Sequence, residues 1–222
     1  MNRDWSEQNK LMQAQLNRKA EYRSAIQTLF RLRESLVDTL LSLNDELDRD
    51  SFNKMPYANA DGYHSKTIAY SIWHIFRIED IVAHSLINND EQIFFSGDYQ
   101  RRINSPIVTT GNELSGSDIA EFSKKLVISE LYKYITDVKN STEAILSGLE
   151  YTDLKKKIPP DKKEYLRSLN VVSSDEKAAW LIDYWCGKDI RGLVKMPFSR
   201  HWIMHIEACL RIKKRLDSTQ KS

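Results

Sequence analysis

Apolar residues recur at helical spacing along most of the chain, and their pattern predicts four long amphipathic helices. In one of them, apolar side chains follow each other in steps of three and four without a break, which is typical of the buried seam of a helical bundle. No convincing run of alternating apolar and polar residues predicts a strand. The four predicted helices cover residues 22–40, 65–87, 128–149 and 196–216.

The connections between these helices are long, which favours crossovers over tight hairpins. Residues 51–64 contain the turn-forming pair Asp61 and Gly62. Residues 89–116 carry several aromatic side chains and are predicted to pack onto the bundle as a lid, while residues 150–172 are predicted to make a surface excursion with one helical turn. The fold class expected from this arrangement is all-α, a four-helix bundle with extra short helices and long crossover loops.

One domain is expected to span residues 1–222, with residues 1–20 as an N-terminal helical extension. Several helix ends also have sequence signals. Ser65 is a candidate N-cap of the second long helix, and Ser173 and Glu176 form a candidate capping box for a shorter helix that should end at Gly187. Residues 188–195 are predicted to be a linker into the last helix.

Composition and charge disfavour a nucleic-acid-binding, disulfide-rich or membrane-spanning protein. The net charge is only +2, so electrostatics do not favour nucleic acid as a partner. The 2 cysteines do not make a disulfide framework, and no run of 18 apolar residues predicts a membrane span. The N-terminus has no apolar core of the signal-peptide type. A cytoplasmic, thiol-reducing location is therefore expected.

Two histidines begin the last predicted helix. His201 and His205 stand four residues apart, which on an α-helix puts both on one face with Cβ atoms about 5–6 Å from each other. Two imidazoles at that separation can share one metal ion, although this spacing also occurs on plain helix surfaces. A third histidine, His74, lies in the middle of the second long helix. His84 is rotated away from His74 and should not join the same site.

Inward side chains on facing helices build the ligand sites of helical bundles, so His74, His201 and His205 can meet only if the fold brings them together. Three histidines can hold zinc or a similar ion with one position left for water, as in catalytic sites. Zinc or nickel is the first expectation for the ion, with iron, manganese or copper as alternatives. The reading without metal, in which all three are core histidines, stays open at this point.

The segments SIWHIFRIED, around His74, and RHWIMHIEA, around His201 and His205, resemble the DinB/YfiT-like superfamily of metal-dependent enzymes. The resemblance covers roughly residues 22–216. It implies an up-down-down-up four-helix bundle, in which one histidine of helix 2 and an HxxxH pair of helix 4 bind a divalent ion. By resemblance, the three histidines named here would be those ligands.

The resemblance also implies a function. Characterised relatives include transferases and isomerases that use a low-molecular-weight thiol, and in these the metal is taken to activate the thiol. The expectation is therefore a metal-dependent enzyme that acts on a small molecule, by thiol-dependent S-transfer or by hydrolysis. The alternative is a non-catalytic metal-binding bundle that acts through protein partners. Pairing of two copies through bundle faces is an expectation by resemblance only.

Other residues near the histidines are candidates for the pocket. Glu79 either supports the metal site from behind its ligands or forms an ion pair at the bundle surface or end, and the ion pair is favoured. Tyr70, His64 and Tyr63 border the second long helix and could line a pocket. Glu207 is expected to be solvated.

Arg200 and Arg191 flank the start of the histidine helix, where they could hold an anionic substrate or simply lie on the surface. Cys186 could be a fourth ligand or a nucleophile. It could equally be a small apolar residue at a helix end, and that interpretation is favoured.

Overall fold

The computed structural model describes residues 2–60 and 64–220, and the regular structure in these two ranges is helical. An isolated bridge between Lys157 and Asp189 is the single β-type pairing within them. The all-α class is therefore confirmed. The turn predicted at Asp61 and Gly62, and the proposed pocket residue Tyr63, lie outside the described residues.

The described ranges contain eleven α-helices, which are numbered in chain order. They are α1 (Arg3–Gln15), α2 (Tyr22–Glu46), α3 (Ile68–Asp80), α4 (Ile93–Ser96), α5 (Tyr99–Ile103), α6 (Ser117–Lys125), α7 (Ile128–Gly148), α8 (Lys162–Ser168), α9 (Glu176–Cys186), α10 (Ile190–Lys195) and α11 (His201–Gln220). None of the helices in the described ranges is both long enough and apolar enough to cross a membrane.

The helix α3 lies at the centre of the molecule. All of its side chains are buried, because it packs against α7 on one side and α11 on another. The helix α2 also contacts both α7 and α11. A helix that is apolar around most of its circumference can be stable only when it is enclosed in this way. Polar residues of α3 are consequently held in the protein interior.

Two π-helical segments flank the helices that carry the histidines. The first, Ile81–Asn88, continues α3, and the second, Met196–Arg200, leads directly into His201. Pro197 lies in the first turn of the second segment, where its missing N–H removes no helical hydrogen bond. Such segments are frequent at functional sites, and this one sets the direction in which α11 begins.

Several helix ends differ from the sequence-based predictions. The N-cap of α3 is Thr67, whose hydroxyl accepts the Tyr70 N–H, and not Ser65. The N-cap of α9 is Asp175, so the predicted Ser173–Glu176 capping box is wrong, while α9 does end next to Gly187 as predicted. The short helix α10 occupies most of the predicted linker.

The long connection after α3 is anchored to the core by Asp80. Its carboxylate accepts the backbone N–H groups of Ile93 and Phe94, at 2.9 and 2.8 Å, and the Tyr134 hydroxyl at 2.8 Å. Arg77 adds a bond from its Nε to the Val108 carbonyl at 2.9 Å. The connection, which also contains α4 and α5, is thereby fixed onto α3, and its last part reaches the histidines.

The N-terminal helix α1 packs along α2. Trp5 is buried between them, and its indole N–H donates to the Ser35 hydroxyl at 3.0 Å. The backbone N–H of Asn2 donates to the Glu207 carboxylate on α11. The expectation that Glu207 is solvated is therefore wrong, because the N-terminal residues cover it.

Candidate metal centre

The three histidines predicted from the sequence meet in the interior. His74 extends from the middle of α3, while His201 and His205 occupy the first two turns of α11. Their ring centroids are 5.1 Å apart for His74 and His201, 4.9 Å for His74 and His205, and 4.6 Å for His201 and His205. One ring nitrogen from each lies within 4.8 Å of the others, so the three are close enough to hold one metal ion.

A backbone carbonyl fixes the orientation of His74. The Nδ1 of His74 lies 2.7 Å from the Thr110 carbonyl oxygen, which can only accept a hydrogen bond. The proton is therefore on Nδ1, and the lone pair of Nε2 is left for a metal. A hydrogen bond from the non-ligating nitrogen to a carbonyl is the usual support of a histidine ligand in metalloproteins.

The chemical state of the three rings also suits a cation. Burial lowers the pKa of His74 to about 4, and it lowers the pKa of His201 and His205 well below their usual range. All three imidazoles are consequently neutral at pH 7, as ligands must be. The Nδ1 of His201 is buried and has no hydrogen-bond partner among the described residues. Such an orphaned nitrogen is costly unless an ion or water occupies the site.

The triad opens onto a cavity of about 540 Å³. This volume is within the range of small-molecule pockets, and most of the lining is apolar or aromatic. The helix α9 and the start of α3 both contribute to the lining. The lining residues are Lys66, Tyr70, His74, Ile78, Asn112, Trp180, Leu181, Tyr184, Trp185, Met196, Pro197, His201, Met204 and His205.

Tyr70 connects the triad to the loop that ends the long connection. Its ring stacks on His74 at 5.5 Å with an interplanar angle of 11°, and its hydroxyl donates to the Gly111 carbonyl at 2.9 Å. Gly111 has a φ of +75°, and a Cβ there would lie 3.0 Å from the Tyr70 ring. Glycine is therefore required for this close approach. The loop holds His74 and Tyr70 in place together.

Lys66 is half-buried at the edge of the same cavity. Its Nζ lies 5.0 Å from the Tyr70 ring centroid. Burial lowers the pKa of the Lys66 ammonium, and the nearby charge of Lys177 acts in the same direction. Among the described residues of the lining, Lys66 has the sole side chain with a formal charge at pH 7.

Glu79 faces away from the triad and is completely buried. It forms a two-pronged pair with Arg33, with N–O distances of 2.7 and 2.9 Å, and accepts the Trp202 indole N–H at 2.8 Å. The ion pair was the favoured interpretation. Its expected place at the bundle surface or end is wrong, because Glu79 and Arg33 are both fully enclosed.

Other candidates lie outside the cavity. Arg200 is exposed, and Arg191 lies over the Tyr151 ring, so neither belongs to the described lining. His64 is half-buried and also lies outside it. Cys186 is half-buried against apolar neighbours, and burial raises the pKa of its thiol, which disfavours the thiolate. The structure does not bring Cys186 into the histidine cluster.

Sequence reasoning missed several residues of the site. Thr110, Gly111 and Asn112 lie in an aperiodic loop, where no pattern indicates which side chains meet the core. Lys66 lies just before the N-cap of α3, where helical spacing does not fix the direction of a side chain. Comparison with protein-family profiles and with curated protein sequences finds no match for the chain.

Stability of the metal-free protein should fall as the pH drops below about 6.5. The pKa of His74 is about 4 in the folded state, so between about pH 6.5 and pH 4 the unfolded chain binds more protons and the folded state is progressively destabilised. Between pH 7 and pH 5 this one residue should lower the free energy of unfolding by about 2 kcal/mol. Urea denaturation of the parent and of His74→Gln at several pH values measures the effect. If the free energy of unfolding has the same pH dependence in both proteins, the prediction is contradicted.

Proposed function

We propose that this chain is a metal-dependent enzyme that acts on a small molecule, with a divalent ion held by His74, His201 and His205. The observation that carries the proposal is that the triad lines an accessible cavity of about 540 Å³. A purely structural metal site is closed by protein ligands, whereas a catalytic site keeps one side open for water or substrate. The open side here favours catalysis.

The proposal includes the DinB-like architecture suggested by the sequence resemblance, with α2, α3, α7 and α11 as the four bundle helices. Two features support it. The histidines come from two of these helices in the order that the resemblance implies, and the Arg33 guanidinium of α2 bonds to groups of α3, α7 and the segment entering α11. An up-down-down-up bundle would account for both.

The residues of the chain have distinct tasks in this proposal. Thr110 holds the proton of His74 on Nδ1, so that the Nε2 lone pair faces the cluster. The aromatic side chains of α9 give the cavity an apolar lining. A bound divalent ion would supply Lewis acidity and would lower the pKa of a thiol or water at the open position. Zinc or nickel suits three neutral imidazoles.

Thiol transfer to a small electrophile is preferred over hydrolysis. No carboxylate is among the described lining residues, so an attacking water would have no carboxylate base and would depend on a bound ion to lose its proton. A thiol has a pKa of about 8.5 and needs much less help to become a nucleophile at neutral pH. The expected cosubstrate is accordingly a low-molecular-weight thiol.

The test combines metal content with turnover. Untagged parent protein should contain near-stoichiometric metal by elemental analysis, and both His74→Ala and His201→Ala should lose it. Parent loaded with zinc or nickel should then consume a chromogenic electrophile in the presence of glutathione or bacillithiol, and the two variants should not. Metal without turnover of any thiol or ester would favour a non-catalytic metal-binding bundle, and absence of metal after loading would reject the site.

A further inference from the structure

Lys66, Tyr70 and His74 form a column along one wall of the cavity. The Lys66 Nζ lies 5.0 Å from the Tyr70 ring centroid, and the Tyr70 ring stacks on His74 at 5.5 Å. Tyr70 and His74, four residues apart, lie on one face of α3, and Lys66, just before the N-cap Thr67, reaches the same ring. The ammonium is therefore one aromatic ring away from the histidine triad.

The charge of this cavity is positive and is not balanced by its described lining. The three imidazoles are neutral donors, so a bound divalent ion would keep its full charge. Lys66 adds a further positive charge, and none of the lining residues that the structure describes is acidic. An ammonium that is partly removed from water gains more from an anionic partner than an exposed one does.

The part of the lining that α9 contributes is apolar and largely aromatic. Trp180, Tyr184 and Trp185 line the cavity from one side of α9, where Trp180 and Tyr184 meet edge to face with ring centroids 5.6 Å apart. Trp180 is 51% exposed, which is unusual for an indole and places it where the cavity meets solvent. A flat apolar molecule in this cavity can contact both the aromatic side chains of α9 and Tyr70.

We infer that the cavity binds an apolar organic molecule with one anionic oxygen group, a carboxylate or sulfonate, which is held by Lys66 while the apolar body lies against α9. That the bound molecule is a substrate rests on the proposed function, because only a metal at the triad would act on it. Binding itself does not require the metal. Lys66 is then the residue that selects anionic over neutral substrates of the same shape.

Two fluorescent probes with the same ring system test the inference on the full-length, metal-free protein. One is 8-anilinonaphthalene-1-sulfonate, which is an anion, and the other is N-phenyl-1-naphthylamine, which is neutral. The Lys66→Met variant should bind the anion about tenfold more weakly and the neutral probe as well as the parent does. Lys66→Arg should retain most of the affinity for the anion, and 4-phenylbutyrate should displace the anion from the parent.

Lys177→Met is the matched control. Lys177 is exposed and close enough for its charge to act on Lys66, but it does not line the cavity. It should therefore have little effect on either probe. Unchanged affinity of Lys66→Met for the anion, or an equal loss of both probes, would overturn the inference. Metal content is measured on separate, zinc-loaded samples of the same variants, so a failure of the metal proposal and a failure at Lys66 are seen separately.

Discussion

Excess zinc is expected to raise the thermal unfolding midpoint of the parent protein by roughly 10 °C and to leave the midpoint of His201→Leu unchanged. An ion that binds only the folded state at a thousandfold excess over its dissociation constant contributes about 4 kcal/mol. His201 is one of three histidines whose ring nitrogens lie within 4.8 Å of one another, so its removal leaves two ligands. Calorimetry with and without zinc measures the shift.

Without metal, the stability of His201→Leu relative to the parent should change sign. The buried Nδ1 of His201 has no hydrogen-bond partner in the described part of the chain, and leucine would fill much of the same space without a polar atom. Relief of that unsatisfied group is worth about 1–3 kcal/mol, so metal-free His201→Leu should unfold at an equal or higher temperature than the metal-free parent. A stabilising effect with chelator and a destabilising effect with zinc would together show that the residue is retained for the metal.

His84→Leu is the control for this pair of measurements. His84 is also buried, but its ring nitrogens bond to Asp90 and Ser141, at 2.7 and 3.1 Å, outside the triad. This variant should be less stable than the parent, and yet zinc should shift its midpoint as much as it shifts the parent's. An equal zinc response in His201→Leu would place the ion elsewhere and would contradict the triad.

Helix periodicity is a local property, which is why the long helices could be predicted from the sequence. In α7 the apolar stripe with steps of three and four is buried from Ile128 to Thr142, and beyond that point Leu146 is buried while Ile145 is half-buried. The helix α10 was missed because it is short and contains Gly192. The side chain of Asp189 accepts the Gly192 N–H at 2.8 Å, and this cap was the available signal.

The site was predictable only where residues share a helix. His201 and His205 follow from their spacing, whereas His74 joins them through tertiary packing that the resemblance suggested and no local pattern encodes. Arg200 is next to His201 in sequence, but adjacent residues on a helix point about 100° apart, and Arg200 faces solvent. Thr110 and Lys66 were missed because they lie in aperiodic segments, where tertiary contacts alone decide direction.

Glu79→Leu is expected to lower the free energy of unfolding by about 3–5 kcal/mol, the typical result of removing one partner of a buried ion pair. The Arg33 guanidinium would lose both of its bonds to the carboxylate while remaining fully enclosed, and arginine cannot discharge by losing a proton. Glu143, at 3.0 Å from the Arg33 Nε, is the carboxylate that would remain. Urea denaturation at neutral pH measures the loss.

Arg33→Met should lower the free energy of unfolding by less than Glu79→Leu does. Burial raises the pKa of the Glu79 carboxyl against the opposing pull of Arg33, so a stranded Glu79 can take up a proton and become neutral. The loss of free energy of unfolding caused by Arg33→Met should therefore become smaller as the pH is lowered, because the Glu79 carboxylate is then more easily protonated. No such relief is available to the guanidinium of Glu79→Leu.

The double variant Arg33→Met/Glu79→Leu should be more stable than the sum of the two single changes predicts, because it leaves no buried charge uncompensated. It should still fall below the parent, since the Trp202 indole N–H loses its acceptor at 2.8 Å. Arg23→Met breaks an exposed pair with Glu150 and should have little effect. Additive losses in the double variant would mean that the two residues stabilise the folded state independently and not as a pair.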